Sequence, residues 1–239
     1  MSTATGKWVW FAVLVVLLLA PFIGLYPVFM MKALCYAIFA CAFNLLLGYT
    51  GLLSFGHAAF LGAAAYATGW LVRTAGWSPE LGVLAGTAVA AAIGLGVGLL
   101  AIRRHGIYFA MITLALAQMV YFVCLQAPFT GGEDGLQGVP RGNLFGIIPL
   151  ASDVTMYFVV LAVFVSVFAL IVRIVHSPFG QVLKAIRENE PRAVSLGYDV
   201  DRYKLLAFVL STALAGLAGS LKTLVLGFAT LSDAHWSLS

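Results

Sequence analysis

A chain of 239 residues that is 62% hydrophobic and 9% charged cannot cover a soluble surface. Its mean hydropathy of +1.03 puts most segments against lipid or another helix. The net charge of +4 then marks membrane orientation and is no nucleic-acid signal.

A helix crosses a bilayer with about 20 apolar residues at 1.5 Å each, and on that ruler the chain offers about seven spans. They are 8–25, 27–47, 58–73, 81–102, 106–127, 154–175 and 205–227. The expected fold is an all-α polytopic bundle, a single membrane domain over 1–239. Lys7 precedes the first apolar run as in a signal peptide, but Leu19-Ala20-Pro21 lacks a small-x-small cleavage pattern. The run therefore reads as an uncleaved first span.

Between the second and third spans lies Gly48–His57, GYTGLLSFGH. Gly48, Gly51 and Gly56 with Thr50 and Ser54 make a poor continuous helix, since an interior glycine costs about 1 kcal/mol relative to alanine. One reading is a broken membrane segment bordering a substrate path, with freed backbone groups offering hydrogen bonds. The other is a tight cytoplasmic turn between two helices. Asn44 and His57 flank it, so the candidate path residues are Asn44, Gly48, Gly51, Ser54, Gly56 and His57. A histidine in such a place is more often hydrogen-bonded scaffold than ligand.

In the fourth span Gly82, Gly86, Ala90, Gly94 and Gly98 draw a smooth stripe, and Thr212, Gly216 and Ser220 repeat the device in the last. Small residues let helix backbones approach where lipid supplies no hydrophobic drive. Packing within the chain is the expected use. Cys35, Cys41 and Cys124 fall inside apolar runs without Cys-x-x-Cys spacing and read as packing residues.

The connection 128–153 carries Thr130, Gly131, Gly132, Glu133, Asp134 and Gly135. Its glycines suit tight turns. The alternating oxygen ligands of a calcium loop are missing, so no metal is expected, while a docking edge for an external partner is. No Asp or Glu falls inside a proposed span, which argues against a proton-coupled carrier. Lys32 and Lys222 do fall inside spans, near ends from which a long stem can snorkel to water.

The one long charged passage is His176–Lys204. Its basic excess (Lys184, Arg187, Arg192, Arg202, Lys204), with Arg173 before it, makes it cytoplasmic. Counting back places Lys7, Arg103, Arg104 and the N-terminus inside, and Arg141 outside with Arg73 as the exception. Phe179, Val182, Leu183 and Ile186 follow i, i+3, i+4, i+7 and form one apolar face, with Gln181, Lys184, Arg187 and Glu188 opposite. Pro191 ends that helix and opens a second, Gly197 stops the second, and Asp199 or Asp201 caps the last span. Two such helices suit a groove on a partner. Rest on lipid headgroups is the alternative, with Glu188 and Glu190 weighing against it.

Taken together, the runs NLLLGYTGLLSFGHAAFLGAAAY (44–66), RRHGIYFAMITLA (103–115), TGGxxG (130–135) and LKAIRENEPRAVSLGYDVDRYKLLAF (183–208) resemble the branched-chain amino acid ABC transporter permeases, the LivM branch in particular. The resemblance covers nearly the whole chain in family order. It implies a bacterial inner-membrane permease subunit with no cofactor, paired with a homologous permease, two ATPase subunits and an external solute-binding protein. It also implies an ATPase-coupling loop similar to the Glu-Ala-Ala-x-x-x-Gly loop of bacterial importers, of which Ala193 and Gly197 match. Coupling is then expected through Phe179, Leu183, Ile186, Arg187, Glu188, Glu190, Ala193 and Gly197. Related permeases continue with further spans beyond the point where this chain stops, so the C-terminal spans of the family are expected to be missing. No Gly-x-x-x-x-Gly-Lys-Ser/Thr loop occurs, so ATP hydrolysis is assigned to a partner. The residues leave open a permease for urea or amides, and a stand-alone channel or sodium-coupled carrier.

Overall fold

The computed structural model describes residues 14–22, 24, 26–104, 106–146 and 148–235, the side chains of Phe129 and Glu133 excepted. Among the described residues, eight helices follow the helical stretch 14–19: α1 (Pro27–Thr50), α2 (His57–Arg73), α3 (Pro79–Ala101), α4 (Ile107–Gln126), α5 (Asp153–His176), α6 (Pro178–Glu188), α7 (Glu190–Ser195) and α8 (Val200–Leu226). Five of them, α1, α3, α4, α5 and α8, are long and apolar enough to cross a membrane. The expected span 8–25 lies partly outside the described residues; within it, 14–19 are helical and lead into a 3-10 turn, Ala20–Phe22. α2, read as a span, has 17 residues, 13 of them buried within the protein.

α8 is the centre of the bundle. It packs against α1, α2 and α3, while α5 lies outside on α1 and α4 lies outside mainly on α2. The reason is side-chain size. Ser211, Thr212, Ala215, Gly216, Ala218, Gly219 and Ser220 of α8 are all buried. The α3 stripe Gly82, Gly86, Ala90, Gly94 and Gly98 is likewise buried throughout. Gly82 faces Val72 and Thr68 of α2, Gly94 faces Thr212, and Gly98 faces Leu205 and Phe208 of α8. The stripe is thus an internal zipper, as its spacing predicted.

Helix ends follow local chemistry. Pro27 and Pro79 open α1 and α3, where a missing N–H costs nothing. Gly51 and Gly227 close α1 and α8 at φ +73° and +75°, a left-handed conformation that suits glycine. At the end of the bundle where α8 finishes, β1 (Leu136–Gln137) pairs antiparallel with β4 (Phe228–Ala229), and β2 (Asn143–Leu144) with β3 (Ile148–Pro149). α6 and α7 occupy the opposite end.

Candidate functional site

The charged elbow 176–199 is built by its own caps. The Ser177 hydroxyl accepts from the Gly180 N–H, the Asn189 side chain from Arg192, and the Asp199 carboxylate from Arg202. Asp199, of the two predicted, is therefore the cap of α8, and Gly197 at φ +87° closes α7. The first helix ends at Glu188, and Glu190 already belongs to the second.

Which way the elbow faces differs from the expectation that its apolar stripe grips a partner. Leu183 and Ile186 are buried against their own chain, and Ala193 joins Ile186 and Val200 in a small apolar cluster. Phe179 stacks on Tyr203 at 5.6 Å. Glu190 forms an ion pair with the buried Lys204 at 2.7 Å, tying α7 to α8. An amphipathic pattern says that a face is covered, not by what. The apolar groups left outside are Val194, Leu196 and Tyr198, beside exposed Arg187, Glu188 and Arg192.

The glycine-rich segment lies directly under the elbow. α1 runs unbroken through Gly48 to Thr50, and residues 51–56 are the connection to α2. The Arg187 guanidinium donates to the Gly48 carbonyl, and Lys184 sits 5.6 Å from the Tyr49 ring centre. A Cβ on Gly51 would touch the Arg187 stem at 3.4 Å. Of the two alternatives, the structure realises a turn at the elbow's end of the bundle, not a helix broken at mid-depth. Asn44 is exposed on α1 and folds over Gly48. Ser54 is fully buried and accepts from the Gly56 N–H, while Gly56 lies against the Thr113 carbonyl of α4. The six path residues lie within this turn or beside it, on the last turns of α1 and the first residue of α2.

His57 is the node of that turn. Fully buried, it is ringed edge-on by Phe43, Phe60 and Phe208 at 5.3–6.0 Å. Its Nε2 lies 2.8 Å from the Ser211 hydroxyl, which lies 2.5 Å from the Ala42 carbonyl. A carbonyl only accepts, so Ser211 gives it the hydroxyl hydrogen, and His57 must donate from Nε2 to Ser211. Nδ1 is then the bare nitrogen, buried and without a hydrogen-bond partner among the described residues. This chain ties α2 to α8 and α8 to α1, a scaffold role. Ser211→Ala should cost about 1–3 kcal/mol by orphaning the buried imidazole N–H. Thermal melting checks it against Ser166→Ala, an exposed serine on α5.

At the opposite end, the loop 128–153 closes over the bundle. The buried Thr130 hydroxyl is held by the Cys124 and Ala127 carbonyls at 2.6 and 2.7 Å. Gly131, Gly132 and Gly135 all have positive φ, and a side chain on Gly135 would strike the Ala229 carbonyl of β4. Arg141 pairs with Asp153 at 2.6 Å and donates to the Val225 carbonyl at 2.9 Å, fastening the loop to the end of α8.

Beside this loop the chain folds back after α8 and delivers Asp233 to Lys222. Both are buried, and Lys222 Nζ also sits 5.1 Å from the Tyr36 ring centre. Lys222 does not snorkel to water: its charge is met inside the protein. The spacing of spans gave no signal for this pair, because the acid lies past the last helix. The Tyr66 hydroxyl is buried with no hydrogen-bond partner among the described residues.

A profile of the family described as branched-chain amino acid transport system / permease component matches residues 25–239. The chain belongs to this family. The high-affinity branched-chain amino acid transport system permease protein LivM of Escherichia coli K12 is 30% identical over 221 residues, covering 81% of this chain and 51% of the relative. LivM of Salmonella typhimurium LT2 gives the same figures. A probable LivM of Methanocaldococcus jannaschii is 26% identical over 127 residues, 49% of this chain and 34% of the relative. The chain spans about half the length of the two bacterial relatives. No solved structure matches it. As a member of this family it is an integral membrane protein, and five of its helices are long and apolar enough to cross a membrane.

Proposed function

We propose that the protein is the membrane permease subunit of an ATP-driven importer of branched-chain or other small neutral amino acids in a bacterial cytoplasmic membrane. It works there with a homologous permease, two ATPase subunits and an external solute-binding protein. In this reading seven spans cross the bilayer, the N-terminus and the elbow 176–199 are cytoplasmic, and the loop 128–153 faces the binding protein. The single observation that carries it is the mounting of the elbow. Its inward face is anchored by Leu183, Ile186 and the Glu190–Lys204 pair, and Arg187 reaches the α1–α2 turn at Gly48. A push on the outward face therefore reaches α1, α2 and α8 through packed contacts, the requirement for passing a motor's stroke into the spans. Val194, Leu196 and Tyr198 form that outward face, Leu196 being 68% exposed.

Leu196→Asp in the full-length protein tests this. Its exposure leaves the fold intact, so the melting temperature stays at the wild-type value. Uptake falls about tenfold or more, the loss of an interface contact worth about 1.4 kcal/mol or more. ATPase co-purification falls with it. Wild-type uptake with the ATPase retained would remove this mechanism.

A further inference from the structure

The buried pair Lys222–Asp233 opens onto a cavity of about 580 Å³ between α1, α4 and the fold-back after α8. That volume falls in the range of small-molecule sites, about 300–1,000 Å³. Its wall carries charges of both signs. Lys222 and Asp233 neutralise each other, while Lys32 of α1 also lines the space and has no ion-pair partner among the described residues. Among the described lining residues one lysine charge is thus in excess, which favours a ligand carrying a carboxylate. The same wall suits a cation as well: Asp233 presents carboxylate oxygens, and the ring of Tyr36 is already met by one ammonium. Leu226 and Leu231 supply an apolar flank. Two poles of opposite sign beside an apolar surface describe one chemical class.

We propose that this cavity binds the zwitterionic head of an α-amino acid with an aliphatic side chain. Its carboxylate lies on Lys32 and Lys222, its ammonium on Asp233, and its side chain against Leu226 and Leu231. This assignment rests on the importer reading above and adds to it the place of binding and the requirement for both charged groups. An uncharged urea or amide leaves Lys32 unanswered and is disfavoured.

The test uses the full-length protein in lipid nanodiscs with Ser232→Cys, an exposed position lining the cavity, and a thiol-reactive label. The unsubstituted chain supplies the background, its Cys35 and Cys124 being buried and its Cys41 half-buried. Leucine is expected to slow labelling about tenfold at saturation, as a ligand held by charge-assisted hydrogen bonds should. 4-Methylpentanoate, which lacks the ammonium, and 3-methylbutylamine, which lacks the carboxylate, should protect far less. Lys32→Gln should abolish protection without moving the melting temperature, because Lys32 is exposed. The assignment is overturned if leucine gives no protection, if all three compounds protect equally, or if Lys32→Gln protects like the parent. Leucine uptake by the assembled transporter separates the two readings. Uptake without protection overturns the site and leaves the importer standing; no uptake by the wild-type transporter overturns both.

Discussion

Gly219→Leu is expected to force α8 away from α2 and to lower the melting temperature steeply. A Cβ at Gly219 would land on the carbonyl oxygen of Leu61, and the next atoms it meets are also α2 backbone. A flexible side chain could swing aside; a helical carbonyl cannot without moving its helix. Overpacking of a core costs about 1–3 kcal/mol, and obstruction by backbone belongs at or above the top of that range. At about 2–4 °C per kcal/mol for a domain of this size, the midpoint drops by about 6–12 °C. Gly96→Leu is the internal control. Gly96 is an exposed helical glycine of α3 with no atom near its absent Cβ, so leucine there should be neutral or stabilising by up to about 1 kcal/mol. Equal melting of the two variants would show that close approach at Gly219 does not hold the bundle together.

The stripe on α3 was legible because a repeat of four residues on a helix is a geometric statement, and its partner stripe on α8 obeys the same repeat. Helix boundaries in the elbow were legible for a similar reason: Asp199 and Gly197 act within one turn of where they stand. The amphipathic face of α6 was legible as a face but not as to its owner, since the same 3.6-residue period buries Leu183 and Ile186 against kin or stranger. Gly48–His57 could not be resolved from composition. Glycine, serine and threonine serve a turn and a broken span equally, and the deciding contact, Arg187 to Gly48, joins residues far apart in the chain. His57 met its fate through Ser211 and Ala42 in the same way. The least legible feature was Lys222, whose partner lies 11 residues on, beyond a reversal that no periodicity announces.

That pair carries the second large effect. Lys222→Met should destabilise the protein by about 3–5 kcal/mol, because it leaves the carboxylate of Asp233 buried without its cation. Side-chain exposures of 6% and 4% leave little water to screen the loss. The exposed pair Arg202–Asp199, at 83% and 53%, is the contrast: Arg202→Met should change stability by less than about 1 kcal/mol. Chemical denaturation of the purified protein distinguishes the two. Adding Asp233→Leu to Lys222→Met should recover most of the lost stability, since an apolar pair of similar volume commonly matches or exceeds a buried ion pair. A double variant as unstable as Lys222→Met alone would mean that the cost lies in packing around Tyr36, not in stranded charge. If the double variant regains stability, yet leucine no longer shields the thiol introduced by Ser232→Cys, the fold never needed these charges. Their place in the core then follows from the ligand they meet.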